Sequence, residues 1–276
     1  MTAVQAIGLG LVQGLTEFLP VSSIAHLRVI PALLGWPDPG AAFSAVLQLG
    51  TLAAVLVYFA GDLWIMARAA LQGVADGRPW ERHEARLAWF ILIGTLPIGV
   101  CGLLFRRFIE GDFRSLYVIS ASLIVLGILL WIAEKRALFR RGVEALGWVD
   151  SQLIGLAQAM ALIPGSSRSG TTMTAAMFLG LTREAAARFS FLLGVPAIGA
   201  AGLFELRDLL RHGLEGAGLP ALGIGILAST VSGYLAIDFL LRYLRTRTMY
   251  VFVWYRIALG LFLLALLARG AVHPLG

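Results

Sequence analysis

The chain has 276 residues, 59% of them hydrophobic and 14% charged, with a formal net charge of +6 and a single cysteine. A soluble domain carries about 25% charged residues, so this composition excludes an ordinary soluble enzyme and indicates an all-α polytopic membrane protein built as a single membrane domain. Cys101 lies inside an apolar run, which excludes an intrachain disulfide and a cysteine-based zinc site.

The N-terminal region 3–35 is apolar but broken near its middle by Pro20-Val21-Ser22-Ser23. Each arm is shorter than the roughly 20 residues a helix needs to cross a bilayer. A re-entrant helix–turn–helix hairpin is therefore expected, tolerated at depth only when buried in protein or lining a polar cavity. The first basic residue is Arg28, so this stretch does not read as a cleaved signal peptide. Gln13 and Glu17 share a helix face. His26 follows Ser22 by four residues and Ser23 by three, which pairs histidine with serine if the second arm is helical.

Six runs are long enough to span: 42–60, 88–105, 116–134, 186–206, 219–241 and 250–268. Between the first two, segment 61–87 mixes charges with Trp64 and Trp80 and reads as an interfacial helix and loop. The second broken region, 150–182, contains Pro164-Gly165-Ser166-Ser167-Arg168-Ser169-Gly170-Thr171-Thr172. Pro164 and Gly165 end one helix, and Ser167 or Ser169 can cap the next. Free helix N–H groups beside the planar Arg168 cation suit a phosphate or diphosphate. On its own the motif reads equally as a polar interhelical loop with Arg168 at lipid headgroups. Arg256, seven residues into the last run, is expected to form an ion pair or a lipid-phosphate contact; Asp238 and Arg242 should pair with each other. His83, His212 and His273 are expected to be solvated.

The two breaks echo one another. Pro20/Pro164, Ser22/Ser166, Ser23/Ser167, Leu49/Leu193 and Gly50/Gly194 are each 144 residues apart, and Tyr117/Tyr250 and Leu126-Gly127/Leu259-Gly260 are 133 apart. A duplicated unit, 1–136 and 148–270, is expected. Each copy holds three spans, an odd number, so the second inserts upside down: six transmembrane helices and two re-entrant hairpins in an inverted-topology repeat. Eleven basic residues in the loops at 61–87, 135–149 and 242–248, against six on the other side, make the first set cytoplasmic and place both termini outside. Loop charges that set topology in this way do not call for nucleic acid. Inverted repeats with broken helices form their sites where the breaks meet. Ser22-Ser23 would then face Ser166–Thr172, with Gln13, Glu17, Ser167, Ser169, Gly170, Thr171 and Thr172 around a bound phosphate. In that arrangement Ser23 attacks, His26 accepts its proton, Glu17 orients His26 or holds a metal, and Arg168 stabilises phosphoryl charge. A carrier for a lipid phosphate or small anion would share the same architecture.

Glu17-Phe18-Leu19-Pro20-Val21-Ser22-Ser23-x-x-His26, Gln48-Leu49-Gly50, Pro164-Gly165-x-Ser167-Arg168-Ser169-Gly170, Ser190-Phe191-Leu192-Leu193 and Tyr255-Arg256 resemble the undecaprenyl-diphosphate phosphatases of the bacitracin-resistance type, nearly end to end. The resemblance implies a multi-pass enzyme of the bacterial inner membrane acting on an isoprenyl diphosphate lipid among membrane lipids, with a site open to the periplasm. It implies a divalent cation, Mg or Ca, and no organic cofactor. It matches Glu17 to the family's motif acid, Ser23 to its candidate nucleophile, His26 to its histidine, and Ser167 with Arg168 to its phosphate-binding pair. Three positions depart. Gln13 stands where the family uses Glu or Gln, leaving one carboxylate for a metal, and Ile24-Ala25 replace the usual Thr-Gly, which admits altered substrate fit or a member of reduced turnover.

Overall fold

A computed structural model describes residues 1–36, 40–105, 115–212 and 218–272. Arg106, Arg107, Arg114 and His273 lie outside the described residues, as does the side chain of His212. Among the described residues the chain is helical, without strands: α1 (Ala3–Phe18), α2 (Ser23–Leu34), α3 (Gly40–Tyr58), α4 (Ala60–Ala75), α5 (His83–Gly94), α6 (Leu96–Leu104), α7 (Leu116–Arg136), α8 (Trp148–Ala159), α9 (Arg168–Phe178), α10 (Arg183–His212), α11 (Leu219–Thr246) and α12 (Tyr250–Ala268).

Among the described residues five stretches are long and apolar enough to cross a membrane: His83–Leu104, Leu116–Arg136, Arg183–Arg207, Leu219–Leu244 and Tyr250–Ala268. A sixth candidate, Phe43–Tyr58 with Ala60–Ala75, bends by 77° at Phe59. The chain is a multi-pass membrane protein, and the runs expected from hydropathy coincide with these helices. His83 opens α5 half-buried rather than solvated.

The two broken regions fold as helix pairs, α1–α2 and α8–α9. The first begins at a capping box, with the Gln5 N–H donating to Thr2 Oγ1 and the Thr2 N–H to Gln5 Oε1. Its buried residues Ala6, Gly10, Gln13, Gly14 and Glu17 recur at the spacing of one helical face. That face lies along α11. A Cβ at Gly10 would come within 2.3 Å of the Gly225 carbonyl, and one at Gly14 within 2.0 Å of Ser232 Oγ. In the second pair Gly155 is as tight, its Cβ position 2.2 Å from the Gly94 carbonyl. Small residues of this kind let apolar helices approach closely where lipid provides no hydrophobic drive.

The two turns share one conformation. Ser22 has φ 72° and ψ 99°, and Ser167 φ 67° and ψ 108°, values that non-glycine residues rarely adopt. Each serine caps the helix it precedes, Ser22 Oγ accepting from the Ala25 N–H and Ser167 Oγ from the Gly170 N–H. The geometry therefore pairs Ser22 with Ser167 and Ser23 with Arg168, a register of 145 rather than the 144 expected from Pro20/Pro164. Gln13/Gln158 and Gly10/Gly155 obey this register. The prolines match as letters, but the backbone equivalence is set by the left-handed serine.

At one end of the bundle, charges tie the segment ends together. Arg183 pairs with Glu134, which also accepts the Met249 N–H at 3.3 Å. Arg141 bonds Asp150 at 2.5 Å and the Leu179 carbonyl at 2.8 Å. Burial pushes the Asp150 carboxyl up, but hydrogen bonds from Arg141 and the Gly147 N–H outweigh it and hold it below the usual carboxylate range. Asp238 and Arg242 pair at 3.0 Å as expected.

Gly14→Val should destabilise the protein by about 2 kcal/mol, since the added methyls meet α11 with no room to move. The check is thermal unfolding in detergent, where a lower midpoint is expected and a wild-type midpoint would refute this packing.

Candidate active site

Glu17 occupies the last turn of α1, and a turn ending at Ser22 brings the first residue of α2 back onto it. Ser23 Oγ donates to Glu17 Oε2 at 2.6 Å, and Gln13 Nε2 donates to the same oxygen at 2.9 Å. The other carboxylate oxygen, Oε1, accepts from Arg168 Nη2 at 3.4 Å. Glu17 and Arg168 are 151 residues apart, so the two helix pairs meet at one ion pair whose side chains are 5% and 9% exposed. Ser169 strengthens the junction, its Oγ facing the Glu17 and Leu19 carbonyls at 3.2 and 3.1 Å.

This junction opens on a cavity of about 310 Å³. Its polar side holds Glu17, Ser22, Ser23, Ser167 and Arg168; its apolar side includes Ile98, Leu162, Ile163 and Ile198. The first residues of α2 and α9 both line it, so two helix N-termini face the same space. A tetrahedral anion there would meet a guanidinium, helix N–H groups and hydroxyls on one side and hydrocarbon on the other.

The remaining expected residues lie elsewhere. His26 does not line the cavity, and it does not pair with Ser23. Its Nδ1 lies 2.7 Å from the Ser22 carbonyl, which only accepts, so Nδ1 carries the proton. The neutral ring then offers the Nε2 lone pair to the Tyr255 hydroxyl, 2.6 Å away, while the two rings stack at 6°. Histidine thus braces the Ser22 turn instead of touching Ser23. Thr171 and Thr172 turn their hydroxyls back onto the Arg168 carbonyl at 3.0 and 2.8 Å, and Thr172 also meets Ser190 Oγ at 2.6 Å. They shape the α9 N-terminus rather than line the cavity. Gly170 provides the N–H capped by Ser167, and Ser166 and Gln13 are buried behind the cavity wall.

Arg256 also differs from expectation. It is fully buried, and the hydrogen bonds of its guanidinium all go to backbone carbonyls. Sequence reasoning missed Arg28, Ser44 and Gln48 as cavity residues. Gln48 lay in a noted Gln-Leu-Gly motif, and Arg28 falls on the helix begun by Ser23, but neither carried a chemical signature. Of the departures from the family pattern, Ile24 lines the cavity, whereas Ala25 is buried and donates its N–H to the Ser22 cap.

Among the described residues Glu17 is the one carboxylate on the cavity, and no three His, Cys, Asp or Glu side chains gather into a metal-binding group.

The His26 ring should show the Nδ1-protonated tautomer in ¹⁵N NMR, and Tyr255→Phe should shift the Nε2 resonance towards that of a free lone pair. An Nε2-protonated ring in the wild type would overturn the assignment.

The family profile described as bacitracin resistance protein BacA matches residues 6–262. The undecaprenyl-diphosphatase of Myxococcus xanthus (strain DK1622) is 56% identical over 275 residues, covering all of this chain and 92% of the relative. That of Chloroherpeton thalassium (strain ATCC 35110 / GB-78) is 52% identical over 284 residues, covering 99% of each. That of Chlorobium phaeobacteroides (strain DSM 266 / SMG 266 / 2430) is 50% identical over 282 residues, covering 99% of this chain and all of the relative. With its profile match running nearly end to end and half or more of its residues shared with these relatives, the chain belongs to the bacitracin resistance protein BacA family.

Proposed function

We propose that the protein hydrolyses undecaprenyl diphosphate to undecaprenyl phosphate and inorganic phosphate, recycling a lipid carrier for cell-wall synthesis and thereby conferring bacitracin resistance. The observation that carries this reading is the 2.6 Å bond from Ser23 to Glu17, with Arg168 on the other carboxylate oxygen, on the wall of a largely apolar cavity. The relatives' name supplies the substrate, and the cavity suits it. Arg168 and the N-termini of α2 and α9 take the phosphoryl oxygens, and Ile98, Leu162 and Ile198 take the first isoprene units.

Ser23 Oγ attacks the terminal phosphorus while its proton passes to Glu17 Oε2. The bond from that phosphorus to the bridging oxygen breaks, and the lipid monophosphate leaves with that proton, returning Glu17 to its carboxylate. Water, deprotonated by Glu17, then releases inorganic phosphate from the serine, whose oxygen takes the proton back from Glu17. Arg168 neutralises charge on the phosphoryl oxygens in both steps. Glu17, rather than His26, is the proton acceptor in this scheme, because Ser23 donates to the carboxylate and His26 is engaged by Ser22 and Tyr255. A divalent cation would arrive with the diphosphate, whose oxygens would hold it together with Glu17; it would supply charge neutralisation.

The architecture that supports this reading is two re-entrant hairpins, α1–α2 and α8–α9, related as inverted repeats by the matched serine turns. The excess of loop arginines supports a bacterial inner-membrane orientation with both termini periplasmic.

Purified protein in detergent should release inorganic phosphate from an isoprenyl diphosphate. Arg168→Ala should lower turnover on the order of 100-fold or more, the usual effect of removing a preorganised charge stabiliser. Ser23→Ala and Glu17→Gln should be at least as damaging. Movement of the lipid across proteoliposomes with no phosphate release would overturn the proposal, and wild-type turnover in the Arg168 variant would overturn the role of that residue.

A further inference from the structure

The geometry points to Arg256 as a positioning residue that sets the spacing of the two serine turns and so builds the site without touching it. Arg256 sits on α12, which contributes no residue to the cavity wall. Its guanidinium is fully buried, yet the hydrogen bonds it makes go to main chain alone. Nη1 donates to the Pro20 carbonyl at 3.2 Å, in the turn before Ser23. Nη2 donates to the Gly165 and Ser166 carbonyls at 3.3 and 2.9 Å, in the turn before Arg168. Nε faces the Leu123 carbonyl of α7 at 3.4 Å, which anchors the fork to a spanning helix.

Pro20 and Gly165 are equivalent positions in the register fixed by Ser22 and Ser167. One planar cation therefore binds the same carbonyl of both turns, and the rigid fork converts that into a fixed distance between them. Arginine suits the task because its donors diverge in one plane; a lysine offers a single ammonium that cannot face both turns at once. The surroundings are built for it. A Cβ on Gly170 would stand 2.5 Å from Nη1, so Gly170 keeps the space the guanidinium needs. Gly165, at φ 90°, aims its carbonyl at Nη2 while resting against Ile119 of α7.

Two readouts test this, and only the kinetic one rests on the phosphatase reading. Spin labels at Leu33→Cys on α2 and Phe178→Cys on α9, both about half exposed, in a Cys101→Ser background report the separation of the helix pairs. Arg256→Met should broaden that distance distribution, with Arg256→Lys falling between it and the wild type. With farnesyl diphosphate as substrate, Arg256→Met should lower kcat about 100-fold, the scale of a 1 Å misplacement, while KM stays within about threefold. Gly170→Ala, which displaces Nη1 without removing the charge, should broaden the distribution as well and carries the test if Arg256→Met does not fold. An unchanged distribution in the variants that fold overturns the clamp. So does a KM rise with kcat intact, which would place Arg256 in substrate binding. Absence of phosphate release from the wild type would defeat the phosphatase reading and leave the distance measurement to decide the clamp.

Discussion

Main-chain polar groups buried away from water must be satisfied inside the protein, and this constraint shapes everything around the two turns. A helix that stops inside a bundle leaves carbonyls behind it and N–H groups ahead of it without partners. Here Ser22 and Ser167 take N–H groups of the helices they precede, and Arg256 takes the carbonyls on the other side. Each such group left bare costs on the order of 1–3 kcal/mol. The first residues of α2 and α9 line the cavity, where helix N-termini are suited to an anion.

The same constraint explains a division of labour among polar residues that look alike in the sequence. The hydroxyls of Ser22, Ser167 and Thr171 are bonded within their own turns or helices, and that of Thr172 bonds its own helix and Ser190 of α10. Ser23 is different: its hydroxyl reaches a carboxylate from another helix and also borders the cavity. The nucleophile proposed for the reaction needs both properties. His26 and Tyr255, stacked and hydrogen-bonded beside the Ser22 carbonyl, hold the strained residue that aims Ser23.

The spanning helices, the two broken regions and the meeting of Glu17 with Arg168 were legible because hydropathy, proline, glycine and serine mark them in the chain. The register of the two turns was misplaced by one residue, since aligned prolines are visible and a left-handed serine is not. The direction of the Thr171 and Thr172 hydroxyls was not legible for a related reason: a hydroxyl that folds back on its own helix has the same letter as one that faces a ligand. Arg256 was read as half of an ion pair or a lipid-phosphate contact because its actual partners are carbonyls, which every residue has. Tyr255 lies 229 residues from His26, and nothing in either neighbourhood announces the other.

Arg168 rests on Glu17 at 3.4 Å, a long contact for such a pair, and its Nη1 is held by the Ser190 carbonyl at 3.0 Å. The guanidinium is thus moored at one nitrogen and only loosely engaged at another. In the proposed reaction an incoming phosphoryl group competes for that looser nitrogen, so the side chain that would recognise the substrate is the one that stands on the proposed base before the substrate arrives.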